Sequence, residues 1–332
     1  MSDQTLAPPT EALAPGVAEF VDRFNRVLPP DFYTRPVDEQ RRLYARLHEA
    51  EFRFPYPDGV ELVDDVVDSA QGSARVRVHR PAERVDDATV LYMHGGGFVL
   101  GTIDTHDSIV AEMAATTGLT TVSVDFSPAP EQPFPRAVEE CFAALCGVVE
   151  HARRLEIDPR RIAVAGDSSG GNLAVVLCLA ARDRNGPRPR AQVLVSPVLD
   201  FARWRGGGED APLLSGDEME FFTRCYVGGD MDAVEHPYVS PLRTARFHDL
   251  PPAYVMAAEW DSLRTDAIDY ARALRAHGTP VELVLEPGFV HACLRARALS
   301  PSVAEAFDRL CAATSRLLGA PSPAPARAPA GR

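Results

Sequence analysis

Gly166-Asp167-Ser168-Ser169-Gly170 sets a serine among glycines. Arg161–Ala165 before it reads as a short strand and the stretch from Asn172 as a helix. This is a G-x-S-x-G sequence in the context it requires, a strand, a sharp turn and a helix. The turn holds the serine in a strained conformation, and glycines are needed where side chains would collide with neighbouring segments. The hydroxyl is thereby pushed into the open, and a helix N-terminus points at whatever it attacks. The chemistry this permits is acyl transfer with Ser168 as nucleophile.

A second glycine-rich sequence, His94-Gly95-Gly96-Gly97-Phe98, follows the apolar run Thr89–Met93. Consecutive glycines let backbone N–H groups approach a developing oxyanion without obstruction by Cβ. It lies upstream of the serine, the order expected of an oxyanion loop. A serine also needs a base and an acid to orient it, in the chain order Ser, acid, His. Asp261 fits the acid, just after the strand-like Ala253–Ala257, with Glu259 and Asp266 as nearby rivals. His291, past Val281–Leu285, fits the base. Its rival His277 precedes Gly278 at a helix end, a capping position.

Short apolar runs must carry these residues: Ala74–His79, Thr89–Met93, Thr120–Asp125, Arg161–Ala165, Gln192–Ser196, Ala253–Ala257 and Val281–Leu285. Helical patterns over Ser108–Thr117, Ala137–Ala152, Asn172–Arg184 and Thr265–Ala276 separate most of them. Alternation of this kind predicts an α/β fold with a mostly parallel sheet flanked by helices. Residues 1–70 read as helical, with Pro29-Pro30 as a break. The core then runs over 71–200 and 250–319. Between its halves, 201–249 turns Gly-, acid- and aromatic-rich, the composition of an inserted lid over the strand ends. The Pro/Ala-rich stretch 320–332 reads as a disordered tail.

The chain has 332 residues, 45% of them hydrophobic and 24% charged, so wholesale disorder is excluded. All 34 basic residues are arginine, and against 47 acidic ones they leave a net charge of −13. Such a chain lacks the basic face that phosphate backbones require, and it has no lysine for a Schiff base or a P-loop. The six cysteines have no CxxC pair or metal-ligand spacing and read as reduced, buried small hydrophobes. The opening MSDQTLAPPTEALAP carries acids and prolines where an export signal would be basic and then apolar. The longest apolar run, Leu173–Ala181, is far short of a bilayer span. These features lead to the expectation of a cytoplasmic protein.

Taken together, HGGGFVLGTIDTHD (His94–Asp107), PAPEQPFPRAVEEC (Pro128–Cys141), RIAVAGDSSGGNLA (Arg161–Ala174), AEWDSLRTD (Ala258–Asp266) and PGFVHACL (Pro287–Leu294) make the chain resemble the hormone-sensitive-lipase-like α/β-hydrolases, in particular the bacterial acetyl esterases. The resemblance spans roughly residues 70–318. It implies an α/β-hydrolase fold with a helical cap, a Ser168–Asp261–His291 triad, and oxyanion N–H groups from Gly96, Gly97 and Ser169. It implies no cofactor and no metal. The expected activity is hydrolysis of short-chain, acetyl-type esters through an acyl-enzyme, with Phe98 walling the pocket. A small-molecule ester is the expected partner, a homodimer is left open, and nucleic acid and membrane are not expected. A deacetylase, lactonase or amidase acting on a specialised metabolite uses the same residues. A non-catalytic ligand receptor on this fold would lack the histidine that stands here at 291. Three positions depart from the family pattern: Phe126-Ser127 where Tyr-Arg is usual, Ser169 in place of alanine, and Ser262 in place of proline.

Overall fold

In the computed structural model, residues 10–52 and 54–321 are described. Eight strands form one sheet: β1 (Val60–Ser69), β2 (Gly72–Pro81), β3 (Thr89–Met93), β4 (Thr120–Asp125), β5 (Ile162–Asp167), β6 (Ala191–Val195), β7 (Ala253–Trp260) and β8 (Val281–Val290). Their order across the sheet is β1-β2-β4-β3-β5-β6-β7-β8. From β4 to β8 every pairing is parallel, and β1 and β2 add an antiparallel hairpin at one edge. The helices are α1 (Val17–Val27), α2 (Val37–Glu51), α3 (Ile103–Thr117), α4 (Arg136–Glu150), α5 (Ala152–Leu155), α6 (Ser169–Asp183), α7 (Gly216–Tyr226), α8 (Arg264–Ala276) and α9 (Pro301–Leu318).

The sheet lies between two helix pairs, α3 with α9 and α4 with α6. Every residue of β3, β5 and β6 is therefore buried, which is why these strands read as continuous apolar runs. Local signals set the helix ends. Thr102 caps α3 in a reciprocal box with Thr105, and Gly118 closes it at φ 66°. Among the described residues no helix is long and apolar enough to cross a membrane.

The N-terminal boundary needs correction. Residues 60–69 belong to the sheet, as β1, and the helical part of the N-terminus ends with α2. The sequence Val-Glu-Leu-Val-Asp-Asp-Val-Val-Asp-Ser hides its strand character because only Val67 is fully buried. An edge strand covered on one side by α4 needs no clean apolar alternation. At the other edge β8 extends past Leu285 through Pro287-Gly288 to Val290. Proline is tolerated there because the strand pairs on one side only, with β7. The segment 201–249 joins β6 to β7 and contributes α7 and short 3-10 turns. The tail expected at 320–332 lies, from residue 322 onward, outside the described residues.

Candidate active site

Three segments at the carboxyl ends of parallel strands carry the candidate residues. Ser168 follows β5 directly and has φ 54° and ψ −119°, the strained corner that the flanking glycines predict. Its N–H bonds to the Val195 carbonyl and its own carbonyl accepts from Asn172, so the corner is fixed from both sides. Gly170 is required because a Cβ there would sit 2.0 Å from the Met93 carbonyl oxygen. Asp261 follows β7 and His291 follows β8.

The three side chains meet in sequence. His291 Nε2 is 3.2 Å from Ser168 Oγ, and His291 Nδ1 is 2.9 Å from Asp261 Oδ2. Asp261 is buried and also accepts the Leu263 N–H at 2.9 Å. Burial lowers the proton affinity of His291, but the charge and hydrogen bond of Asp261, with Asp167 and Glu218 beyond, raise its pKa above the ordinary histidine value. Burial likewise disfavours ionised Asp261, yet His291 and the Leu263 N–H hold its pKa below the usual carboxylate range. The rival residues have other employment. Glu259 accepts the Gly288 N–H, Asp266 accepts the Leu199 and Asp200 N–H groups and pairs with Arg203, and His277 caps α8 in solvent.

The glycine loop after β3 lies beside the serine. Gly96 and Gly97 line the same cavity as Ser168 and His291. Among the described residues their N–H groups have no protein acceptor, and neither has that of Ser169 at the start of α6. The Ser169 hydroxyl is fully buried and accepts the Phe98 N–H at 3.3 Å, so it braces the glycine loop instead of adding polarity to the cavity. Ser262 Oγ donates to the Leu214 carbonyl at 3.3 Å, joining the acid loop to the inserted segment. At the Phe126-Ser127 departure, Ser127 bonds Glu140, while Arg41 of α2 donates to the Val99 and Ala129 carbonyls and pairs with Glu131.

Phe98 does not wall the cavity. Its ring is buried behind the loop and stacks on Tyr226 at 3.6 Å with the planes 4° apart. Phe98 takes φ 64°, and its ring also lies 6.0 Å from Phe201, whose own side chain lines the cavity. Aromatic walls come instead from Phe24, Phe32, Phe201 and Phe222, helped by Leu214 and Met219. The N-terminal helices and the inserted segment both contribute. The cavity is narrow, with a free volume of about 50 Å³.

Two features escape a reading of motifs. Asp167, next to the serine, is buried and accepts from the Tyr92 hydroxyl at 2.7 Å and the Gly95 N–H at 3.2 Å. Burial opposes its charge, but His106, Arg295 and Tyr92 hold its pKa well below the usual range. Arg295 in turn donates to His106 Nε2 at 2.6 Å and to the Tyr44 hydroxyl at 3.2 Å. The second feature is Glu218, a buried carboxyl on α7 that faces into the cavity. Only the acid within G-D-S-S-G hinted at the first, and nothing in the sequence pointed to the second.

A family profile for the alpha/beta hydrolase fold matches residues 90–295. Esterase LipI of Mycobacterium tuberculosis is 38% identical over 264 residues, 77% of this chain and 82% of LipI. Carboxylesterase NlhH of the same organism is 40% identical over 74% of this chain and 79% of its own. Among solved structures, a thermostable esterase from Pseudomonas putida superposes with a TM-score of 0.83 at 30% identity, covering 91% of this chain and 97% of that one. A hyperthermophilic esterase from the archaeon Pyrobaculum calidifontis gives 0.78 at 32% identity, covering 87% and 98%.

Proposed function

The chain belongs to the α/β-hydrolase family and is a carboxylesterase of the serine-hydrolase kind; from that premise we propose that it cleaves esters of short acyl groups, with Ser168 as nucleophile, His291 as base and Asp261 as the residue that orients the base. The observation that carries this reading is the contact chain of 3.2 Å and 2.9 Å from Ser168 through His291 to Asp261 at the floor of an apolar cavity. His291 Nε2 takes the Ser168 proton as Oγ attacks the ester carbonyl, and returns it to the departing alcohol. The N–H groups of Gly96, Gly97 and Ser169 stabilise the oxyanion, an interaction whose loss at a single donor costs about 10²–10³ in rate. Water deprotonated by His291 then attacks the acyl-enzyme and regenerates the serine.

Support for a short acyl group comes from the crowding beside the glycine loop. A Cβ added to Gly97 would lie 2.5 Å from the Phe222 ring, so the wall of the pocket rests on the loop itself. The test is a rate series on p-nitrophenyl esters from acetate to a long acyl chain, with Ser168→Ala alongside. Rates that fall with chain length and vanish in the variant are expected. A maximum at long chains overturns the short-acyl reading, and full activity in Ser168→Ala overturns the mechanism.

A further inference from the structure

Beyond the reacting groups lies a second, outer cavity between α1, the Pro29-Pro30 turn and residues 211–215 of the inserted segment. It shares Phe24, Leu28, Phe32, Leu213, Leu214 and Glu218 with the cavity that holds Ser168, so these residues form the throat between the two. Glu218 is the one ionisable side chain at that throat. It is 9% exposed, and among the described residues its carboxyl makes no hydrogen bond to another side chain. Helix capping explains only part of this placement. Ser215 Oγ accepts the Glu218 N–H at 3.2 Å, and the Ser215 backbone N–H stabilises the charged carboxyl. The rest of the carboxyl faces an apolar, aromatic space.

We propose that Glu218, with the Phe24 and Phe32 rings beside it, forms a subsite for a cationic ammonium group carried on the alcohol portion of the ester. The assignment rests on the esterase reading above: with a short acyl group next to Gly97, the arm of the substrate that reaches the throat belongs to the alcohol. An ammonium is attracted by both a carboxylate and the faces of aromatic rings, and both attractions strengthen away from water. The outer cavity contains no arginine or histidine among its described lining residues. In the inner cavity the guanidinium of Arg295 stands 3.9 Å from Asp167 and His291 is held by Asp261 at 2.9 Å, so both of these groups already have a carboxylate partner of their own. Burial pushes the free Glu218 carboxyl up to about 8, a state that an arriving cation relieves by letting the group ionise.

The experiment compares choline acetate with 3,3-dimethylbutyl acetate, its uncharged carbon isostere, in wild type and Glu218→Gln. Glutamine serves equally well at the third position of a capped helix, so the helix is retained while the charge is lost. Wild type is expected to favour the cationic ester in kcat/KM by about tenfold or more. Glu218→Gln brings the ratio close to one, and the ratio cancels any general change in activity. A wild-type ratio near one, or a preference that survives in Glu218→Gln, overturns the subsite. If p-nitrophenyl acetate is not hydrolysed either, the esterase reading has failed separately. Choline alone then decides the subsite: a concentration-dependent rise in Tm in wild type that Glu218→Gln lacks supports it, and no rise overturns it.

Discussion

Asp167, the residue before Ser168, stands 3.9 Å from Arg295, four residues after His291. The pair ties the corner after β5 to the loop after β8, so the two loops that must hold Ser168 and His291 within reach of each other share one buried electrostatic anchor. Tyr92 of β3 and His106 of α3 complete it.

Arg295→Met leaves the Asp167 carboxylate buried without its cation, a change that typically costs about 3–5 kcal/mol. The expected result is a clearly lowered urea midpoint with kcat reduced as well, because the His291 loop loses its anchor. In wild type the contribution of Asp167 follows from its depressed pKa. It is complete above the unfolded-chain value of about 3.9 and is lost as the pH falls from there toward the folded-state value. Urea titrations at about pH 7, for the variant against wild type, and at about pH 2, for the loss of the Asp167 contribution in wild type, check both expectations.

The pH profile of kcat/KM reports His291. The base must be neutral to accept the serine proton, and Asp261 raises its pKa. Activity on p-nitrophenyl acetate should therefore fall on the acid side with an apparent pKa above the ordinary histidine value of about 6.5. Asp261→Asn removes the raising charge and also the tautomer control, so a loss on the order of 10⁴ in kcat is expected. An acid limb below pH 6 in wild type contradicts this assignment.

Gly170→Ala tests why the nucleophile turn carries glycine. The added methyl would meet the Met93 carbonyl at 2.0 Å, and backbone on β3 cannot yield without disturbing the sheet. A destabilisation above about 4 kcal/mol, or failure to fold, is expected by circular dichroism. A folded variant of near-normal stability shows instead that β3 and α6 can separate.

Phe98 and Phe222 should behave oppositely. Phe98→Ala removes a ring stacked on Tyr226 and costs about 3–5 kcal/mol in stability, with the order of acyl-chain preference kept. Phe222→Ala opens the space against Gly97 and shifts the preference in the p-nitrophenyl series toward longer chains. Guanidinium melts and the ester series separate the two effects.

Much of the site was legible because its chemistry dictates local sequence. A strained serine corner needs its glycines, and Asp261 and His291 take their places from chain order after strands. Phe98 shows where this kind of inference stops. Its neighbours Gly96 and Gly97 line the cavity, yet its own ring stacks on Tyr226 of the inserted segment, a partner 128 positions away that residue types do not reveal. β1 was missed for a related reason, since an edge strand packed on one side need not alternate.

What the sequence by itself determined was the alternating α/β order and the strand-end positions of Ser168, the glycine loop, Asp261 and His291, which the structure brings to one cavity or into contact. These rest on local backbone demands and on the apolar character of doubly covered strands. Only the tertiary structure decided which side chains wall the cavity, that Asp167 and Arg295 join two loops 128 positions apart, and that Glu218 faces the throat. Each of these depends on how separate segments pack against one another. The residue type at a single position carries almost no record of its distant neighbours, so packing had to be seen to be known.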